Sequence, residues 1–366
     1  MHFEARLIPT LALIVATLWS PAAQCAAELD AWSAAKLMGV GFNIGNTFDN
    51  TTTWETGWGN PRITKQYIES LAALGFKTVR VPVAWDTYAR NGEIQPDKLA
   101  RVREVVGWIT ATGMYCVVNI HWDGGWIDSS NKKRFPKTHA TFSAEAEGKY
   151  RAYWTQIANY FSTMDERLLF EALNEETNFE GVGSRREAYA TLTRVNQIFI
   201  DTVRKTGGNN AKRLLIVAGY ATDIEKTAGD DYVLPVDSAP HRLIISVHYY
   251  TPWQFAGMTH DESWGKMRPT WGTTSDVAEL NRLFDTLQDF CKRNDIPAFI
   301  GEFGVTEKKE EASRVRWMTA VGQAALSRRM VPVFWDIGGD LSRKSPYVPS
   351  SALSQVLRSL LSTHQQ

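Results

Sequence analysis

Cysteine is scarce in this chain, which contains three in 366 residues. Cys25 lies near the N-terminus, Cys116 in an apolar strand-like run and Cys291 in a helical pattern, and we predict that the last two are buried thiols. Two cysteines could form one disulfide at most, which is too few to hold together a domain of this size. The pattern therefore excludes a disulfide-rich fold. The seven histidines include no close pair with the spacing of zinc ligands, and we expect no structural metal.

An excess of charge of either sign is also absent. Lys and Arg together number 40, as do Asp and Glu, so no strong field draws the protein to nucleic acid or to an anionic membrane. Hydrophobic residues are plentiful by contrast, at 44% of the chain, and there are 14 Trp, 12 Tyr and 16 Phe. This content is enough for a large core and excludes a disordered chain.

Long apolar runs are missing except at the N-terminus. Arg6 precedes the apolar run 7–19, and small residues follow it at 21–27. This order predicts a secretory signal peptide over residues 1–26, with a buried N-terminal helix as the alternative. No stretch of 18 apolar residues occurs elsewhere, so we expect residues 27–366 to form a soluble monomer, free of the membrane and secreted to the periplasm or the medium.

Short apolar runs recur between segments with helical periodicity. Several runs are nearly continuous in Val, Ile, Leu and Phe, which is typical of parallel strands covered on both faces. Pro96 begins one of the intervening helical patterns and Gly113 follows its end, at the positions where these residues favour helix boundaries. The eight runs are 39–44, 78–83, 115–120, 168–173, 214–218, 243–247, 298–303 and 331–337.

Alternation of strand and helix over eight units predicts a (β/α)8 TIM barrel. Residues 27–366 provide roughly 42 residues per unit, more than a minimal barrel needs, so we expect extended loops after the strands. The alternative is a doubly wound open sheet, but segment 41–46 lacks the GxGxxG spacing of its usual first turn. No Ser/Thr/Pro-rich linker interrupts the chain, so we predict a single domain over 27–366.

Polar residues gather where the predicted strands end. In a barrel of this kind the C-terminal strand ends meet on one face, which carries the active site. These side chains are therefore candidates for one shared site. They are Asn46, Arg80, His121, Trp122, Asn174, Glu175, His248, Tyr250, Glu302 and Trp335.

Two of these residues, Glu175 and Glu302, form a pair with a specific chemical use. Two carboxyl groups on either side of a bond are the machinery of glycoside hydrolysis, one as acid and the other as nucleophile or base. A single glutamate is more often a solvated charge, but Glu302 lies in an apolar run and needs a partner there. Arg80 and Tyr250 are the candidates for that partner.

The motifs along the chain resemble those of glycoside hydrolase family 5, in clan A. The resemblance extends from segment 41–47 to segment 334–336, and segments 54–56 and 58–61 are similar to the branch acting on β-1,4-glucans, including xyloglucan. It implies a retaining endo-β-1,4-glucanase of the cellulase type, with Glu175 as acid/base and Glu302 as nucleophile.

The resemblance also implies roles for the neighbouring side chains. Arg80 and Tyr250 would keep the nucleophile ionised and oriented, and Asn174 would bind the sugar 2-hydroxyl. His121 and His248 would bind hydroxyls or support the acid, and Trp335 would form the floor of the subsite.

Two positions depart from the family pattern. Glu176 follows Glu175 where proline is usual; we expect its side chain to face away, and if near it would raise the pKa of Glu175. Ile337 follows Asp336 where a polar residue is frequent in the glucanase branch. A third acid, Glu171, shares a strand face with Glu175, and we interpret it as a charge inside the barrel paired with a basic residue.

Tryptophans in segments after the strands can stack on the apolar faces of sugar rings. Such a set predicts a long cleft and attack within a polysaccharide chain. Trp58, Trp122, Trp126 and Trp253 are the candidates for substrate binding, and Trp54, Trp264 and Trp271 share the pattern.

We therefore expect a secreted enzyme that hydrolyses internal β-1,4 bonds of cellulose-type glucans by double displacement, with a β-glucan as its partner and no cofactor or metal. Three alternatives stay open: an endo-β-1,4-mannanase with the same machinery, a metal-dependent barrel hydrolase using His121, Asp123 and His248, and a barrel that binds glycans without cleaving them. The sequence does not decide among cellulose, xyloglucan, mixed-linkage glucan and mannan.

Overall fold

The computed structural model describes residues 29–129, 142–176, 179 and 184–362. The predicted signal peptide and Cys25 lie outside these residues. Within them, no helix has the length and apolar character needed to cross a membrane. Cys116 and Cys291 are both buried free thiols, as predicted.

Eight parallel strands close into a barrel, which confirms the predicted (β/α)8 fold. Seven of these strands fall within one of the eight apolar runs, and the strand in run 243–247 extends to Tyr249. A separate antiparallel pair, β3 and β4, lies in the connection after β2. The strands are β1 (Gly41–Asn43), β2 (Thr78–Val81), β3 (Ala89–Arg90), β4 (Glu93–Ile94), β5 (Tyr115–Asn119), β6 (Leu168–Glu171), β7 (Leu215–Ala218), β8 (Leu243–Tyr249), β9 (Ala298–Phe303) and β10 (Val331–Phe334).

The described residues form ten α-helices, most of which cover the outside of the barrel. Pro96 occupies the first turn of α3, as its fixed φ angle favours. They are α1 (Ala31–Met38), α2 (Lys65–Ala73), α3 (Pro96–Ala111), α4 (Ala144–Tyr160), α5 (Arg185–Lys205), α6 (Ile224–Ala228), α7 (Trp253–Ala256), α8 (Thr274–Asn294), α9 (Glu311–Ser327) and α10 (Ser351–Ser362).

Helix α8 shows how the sequence produces the outer layer. It begins with a reciprocal capping box between Thr273 and Asp276, which satisfies backbone N–H groups that the helix leaves unpaired. Its apolar residues recur at spacings of three and four and are buried against the barrel. They are Leu280, Leu283, Phe284, Leu287 and Phe290.

Helix α1 closes the N-terminal end of the barrel. Its buried residues Ala34 and Met38 belong to one apolar cluster with inward-facing strand residues such as Val117, Leu169 and Phe299. Successive side chains of a strand point to opposite faces, so the next inward position on each strand lies one layer higher. The lower barrel is therefore a packed apolar core. The inward side chains of the upper layer, near the C-terminal strand ends, form the candidate site.

The first and last strands meet to close the barrel. Gly41 pairs with Val333 across β1 and β10. The Asn43 side-chain amide donates to the carbonyl oxygens of Gly301, at 2.8 Å, and Phe334, at 3.1 Å. This buried residue thus joins β1 to β9 and β10 directly below the strand ends.

Candidate active site

The upper layer of the barrel interior is polar on almost every strand. On β5 the inward row passes from Val117 to Asn119, and on β6 from Leu169 to Glu171. On β8 it passes from Ile244 to Ser246, whose hydroxyl contacts Glu171. The same alternation that fills the lower barrel with apolar groups thus places hydrogen-bonding groups at its C-terminal face.

Strand β9 departs from regular alternation, and the departure places Glu302. Its register with β8 shifts between Val247 and His248, so that His248 pairs with Glu302. A β-bulge of this kind redirects a side chain and is frequent beside active sites. Gly301 makes it possible, because a Cβ there would lie 3.0 Å from His248 Nε2 and 3.1 Å from Ser246 Oγ.

Glu302 is buried and has the two partners that the sequence predicted. Arg80 Nη1 donates to its Oε1 at 2.8 Å, and the Tyr250 hydroxyl donates to its Oε2 at 2.9 Å. Burial raises the pKa of the Glu302 carboxyl, while the charges of His248 and Arg80 oppose that rise. Burial also raises the pKa of the Tyr250 hydroxyl, and the neighbouring carboxylates add to that rise, so it remains a donor.

Arg80 is the centre of a buried network. Its Nε donates to Glu171 Oε2 at 2.6 Å, as predicted for a barrel-interior acid paired with a basic residue. Its other nitrogens donate to Asn43 Oδ1 at 3.1 Å and Asn174 Oδ1 at 2.9 Å. Burial alone would lower the pKa of the Arg80 guanidinium, but Glu171 and Glu302 raise it above its usual value. Arg80 is therefore a permanent cation below the cleft.

Glu175 lies at the mouth of the barrel, with 41% of its side chain exposed. Its Oε1 lies 2.7 Å from Nδ1 of the buried His248, which is also 3.7 Å from Glu302 Oε2. Burial lowers the pKa of His248, but the two carboxylates raise it above its ordinary value. Burial raises the pKa of Glu175, and the hydrogen bond and charge of His248 bring it below its ordinary value. Both directions favour an ion pair in which the His248 ring donates to the Glu175 carboxylate.

The two carboxyl groups are close together. One oxygen of Glu175, one oxygen of Glu302 and a ring nitrogen of His248 all lie within 4.8 Å of one another. Carboxyl groups about 5 to 5.5 Å apart suit a nucleophile and an acid on one bond, whereas an intervening water needs about 6.5 Å or more.

A cleft of about 620 Å³ opens above these carboxylates. Seven of the predicted site residues line it, and the sequence reasoning missed several residues that follow β9 and β10 on the same face. Its predicted members are His121, Asn174, Glu175, Tyr250, Trp253, Glu302 and Trp335. Those missed include Val305, Glu307, Lys308 and Asp340, whose position after two strand ends was the available signal.

Trp335 forms part of the cleft wall. Its ring lies parallel to that of His121, with 5.9 Å between centroids. The edge of the indole crosses Gly45, where a Cβ would lie 2.9 Å from two ring carbons. Glycine at that position therefore lets the ring lie over the strand end. Asn46 contributes through its backbone, with its N–H bound to Asp49 Oδ2 and its carbonyl to Asn60.

The tryptophans fall into two groups. Trp58, Trp122 and Trp253 are exposed by 44%, 39% and 50%, and Trp264 is also exposed. Trp126 is only 2% exposed, so its predicted place as a sugar-binding residue is wrong.

Trp126 is buried because its ring packs against α4. Its ring meets the edge of Tyr153 at 5.8 Å between centroids, and Lys149 Nζ lies 4.2 Å from its centre. Trp54 and Trp271, which share the same sequence pattern, are buried as well.

Glu176 faces away from the cleft, as expected. It is 3% exposed, and neither carboxyl oxygen meets a hydrogen-bond donor among the residues that the structure describes. Its acidic neighbours are Asp128 and Asp123, which are also buried. Burial and these charges raise the pKa of Glu176 well above its ordinary value.

The residues of the predicted metal alternative do not form one ligand set in the described part of the chain. The oxygens of Asp123 accept hydrogen bonds from the backbone N–H groups of Asp86 and Thr87 and from the Thr87 hydroxyl. His121 Nδ1 lies 3.3 Å from the Asn119 amide. Among the residues that the structure describes, the trio Glu175, His248 and Glu302 has the spacing of a metal site.

A (β/α)8 barrel that brings two glutamates within 4.8 Å above a buried arginine defines the class, a glycoside hydrolase. The family model described as cellulase, glycosyl hydrolase family 5, matches residues 39–340. The chain belongs to that family and is a retaining glycoside hydrolase.

Known proteins agree with this assignment. The chain is 36% identical to endoglucanase A of Paenibacillus barcinonensis over 87% of its length and 86% of that protein. A broad-specificity endoglucanase from Ruminococcus champanellensis, solved with bound cellotriose, superposes with a TM-score of 0.79 at 31% identity, over 91% of this chain and 98% of the other. A xyloglucanase from Bacteroides ovatus with a XXXG heptasaccharide has a TM-score of 0.80 at 29% identity, over 92% and 78%.

Proposed function

We propose that this protein is a secreted endo-β-1,4-glucanase that cleaves within the chain of a cellulose-type glucan by double displacement. Glu302 is the nucleophile and Glu175 is the acid/base. The observation that carries the proposal is the separation of at most 4.8 Å between oxygens of these two glutamates, which suits the retaining mechanism.

In the first step, a Glu302 oxygen bonds to the anomeric carbon while the bond from that carbon to the leaving sugar oxygen breaks. Glu175 takes the proton from His248 across their hydrogen bond and gives it to the leaving oxygen. Arg80 and Tyr250 hold the attacking carboxylate in place with contacts of 2.8 and 2.9 Å, so its orientation needs no further ordering. The amide NH2 of Asn174 is oriented by Arg80 toward the sugar 2-hydroxyl.

In the second step, water replaces the departed sugar. Glu175 removes a proton from this water, the water oxygen bonds to the anomeric carbon, and the bond to Glu302 breaks. The partial exposure of Glu175 allows water to reach it, whereas the burial of Glu302 keeps water from the nucleophile.

Exposed tryptophans support endo action on a glucan. Exposed Trp58, Trp122 and Trp253 offer flat apolar surfaces of the kind that sugar rings cover. The solved relatives with cellotriose and with a xyloglucan heptasaccharide support a β-1,4-glucan backbone as the substrate. We extend this to cellulose-type glucan, xyloglucan and mixed-linkage glucan, which share that backbone.

The test of the mechanism is the Glu302→Gln variant. It should lose at least about 10⁴-fold in reducing-end release from soluble glucan while keeping its thermal unfolding transition, because an amide is no nucleophile. Mass spectrometry after incubation with a 2-fluoro glycoside should find the label on Glu302 of the wild type. Glu69→Gln, an exposed change on α2, is the matched control and should retain activity. A label on another residue would refute the assignment.

Substrate and export need separate measurements. Reducing-end release from carboxymethyl cellulose, xyloglucan, mixed-linkage glucan and mannan, assayed side by side, should be highest on a glucan. Release from mannan alone would make the enzyme a mannanase.

The pattern over residues 1–26 supports export, and the N-terminal sequence of the secreted protein should begin near residue 27.

A further inference from the structure

Glu171 is a buried acid that the double-displacement steps do not use. It ends β6 and has no exposed surface, so it cannot touch the substrate. Three side chains from three other strands donate to its carboxylate. They are Arg80 Nε at 2.6 Å on β2, Asn119 Nδ2 at 3.1 Å on β5 and Ser246 Oγ at 2.8 Å on β8.

Each of these donors lies directly below a group in the cleft. Arg80 contacts Glu302, and Asn119 contacts His121 at 3.3 Å. Ser246 is the inward residue before His248 on β8. One carboxylate therefore sets the positions of three side chains that support the reacting groups.

The contact with Arg80 is the most consequential of the three. A guanidinium group is planar and rigid, so fixing its Nε direction also fixes the directions of both terminal nitrogens. Those nitrogens reach Glu302 at 2.8 Å and Asn174 at 2.9 Å. Glu171 thus determines how Arg80 is presented to the nucleophile and to the amide beside the acid/base.

Glu171 also competes with Glu302 for the positive charge of Arg80. One cation faces two buried carboxylates, at 2.6 Å for Glu171 and 2.8 Å for Glu302. Without the first carboxylate, the whole field of the cation would act on the second, which would become a weaker base and a weaker nucleophile.

We propose that Glu171 is a positioning residue for the nucleophile, which orients Arg80 and limits how strongly that cation stabilises the Glu302 carboxylate. The inference rests on the proposed roles of Glu302 and Glu175. It adds to them a group below the cleft that tunes the attacking oxygen without contacting substrate.

The Glu171→Gln variant tests this directly, since it removes the charge and preserves the shape. We expect kcat on soluble β-1,4-glucan to fall about 10- to 100-fold with KM within about threefold. Because Glu302 must be ionised to attack, the acid limb of the kcat/KM profile should move to lower pH, by about half a unit or more.

A second variant keeps the test decisive. Glu171→Asp retains the charge but shortens the side chain, so it should lower kcat without moving the acid limb. Asp237→Asn is the matched control, because Asp237 is a buried carboxylate paired with Arg204 at 2.6 and 2.8 Å away from the cleft. It should lower the unfolding temperature and leave both kcat and the acid limb near the wild-type values.

Wild-type kcat and an unmoved acid limb in Glu171→Gln would overturn the inference. Equal losses of kcat in the Gln and Asp variants, with the acid limb unmoved in both, would also overturn it. That result would assign Glu171 a purely structural role. If Glu171→Gln does not fold, loss of kcat in Glu171→Asp with wild-type KM supports the inference, and unchanged kcat refutes it. A wild-type enzyme inactive on every β-1,4-glycan would instead refute the proposed function.

Discussion

Glu171 and Glu176 are both buried carboxyl groups near the end of β6, five positions apart, but their surroundings differ. Glu171 receives hydrogen bonds from Arg80, Asn119 and Ser246. Glu176 meets no donor within the described residues, and its neighbours are the acids Asp128 and Asp123. The first lies under the nucleophile, and the second lies behind the acid/base.

Because both groups are buried, the difference between them lies in their partners. A carboxylate with three donors and an adjacent cation can remain ionised out of water. Burial disfavours the charged form of Glu176, and the nearby acids Asp128 and Asp123 disfavour it further, which explains the raised pKa of that carboxyl group. Two residues of one chemical type thus have different places: Glu171 belongs to the hydrogen-bonded catalytic network, and Glu176 belongs to the supporting wall beside two other acids.

The largest effect is expected from removing Arg80, the cation that donates to Glu171. Arg80→Met leaves Glu171 and Glu302 buried without their cation, so the free energy of unfolding should fall by about 3–5 kcal/mol. Reducing-end release should fall by roughly 10³-fold, because the nucleophile loses its charge partner. Urea unfolding and steady-state kinetics measure the two losses, and a variant with wild-type stability would contradict the network.

A smaller effect is expected from Glu176→Gln, which keeps the neutral shape. The folded protein holds the Glu176 proton at pH values where the unfolded chain, with a pKa near 4.5, has lost it. The wild type therefore loses unfolding free energy as the pH rises above about 4.5, by about 1.4 kcal/mol for each unit of pKa shift. The variant does not bear this loss.

Urea unfolding from pH 4 to pH 8.5 measures the difference. Glu176→Gln should equal the wild type near pH 4 and be more stable by about 1 kcal/mol or more at pH 8. Asp123, whose pKa burial raises to about 7, titrates in both proteins. Parallel stability curves for the two proteins would show that Glu176 is ionised in the folded state.

The smallest effect concerns the buried ring of Trp126. Trp126→Phe should change KM less than about twofold, because the ring is buried and no sugar reaches it. Trp122→Ala, an exposed change in the same loop, should raise KM on soluble glucan roughly fivefold, the equivalent of about 1 kcal/mol of lost contact. Equal effects of the two changes on KM would show that Trp126 also lines the cleft.

Periodicity was sufficient to predict the barrel and the row of site residues. Eight apolar runs and a two-residue alternation place Arg80 and His248 on one face whatever the loops do, whereas Glu302 reaches that face only through the bulge in β9. Loops have no such period, so the position of Trp126 after β5 does not predict that its ring is buried against α4. The bulge at Gly301 also depends on how β9 registers with β8, a tertiary property that one strand does not encode.

The Asn43 amide, described above as a link between β1, β9 and β10, has a consequence for how the chain folds. Its two acceptors are 258 and 291 positions further along the sequence. Contacts of such high sequence separation cost the most loop entropy and form late. Helices and neighbouring strands can therefore assemble well before the ring of strands is complete, and the nucleophile acquires its surroundings only in the last stage. Activity is a reporter of the finished ring, and it should return after helical content during refolding.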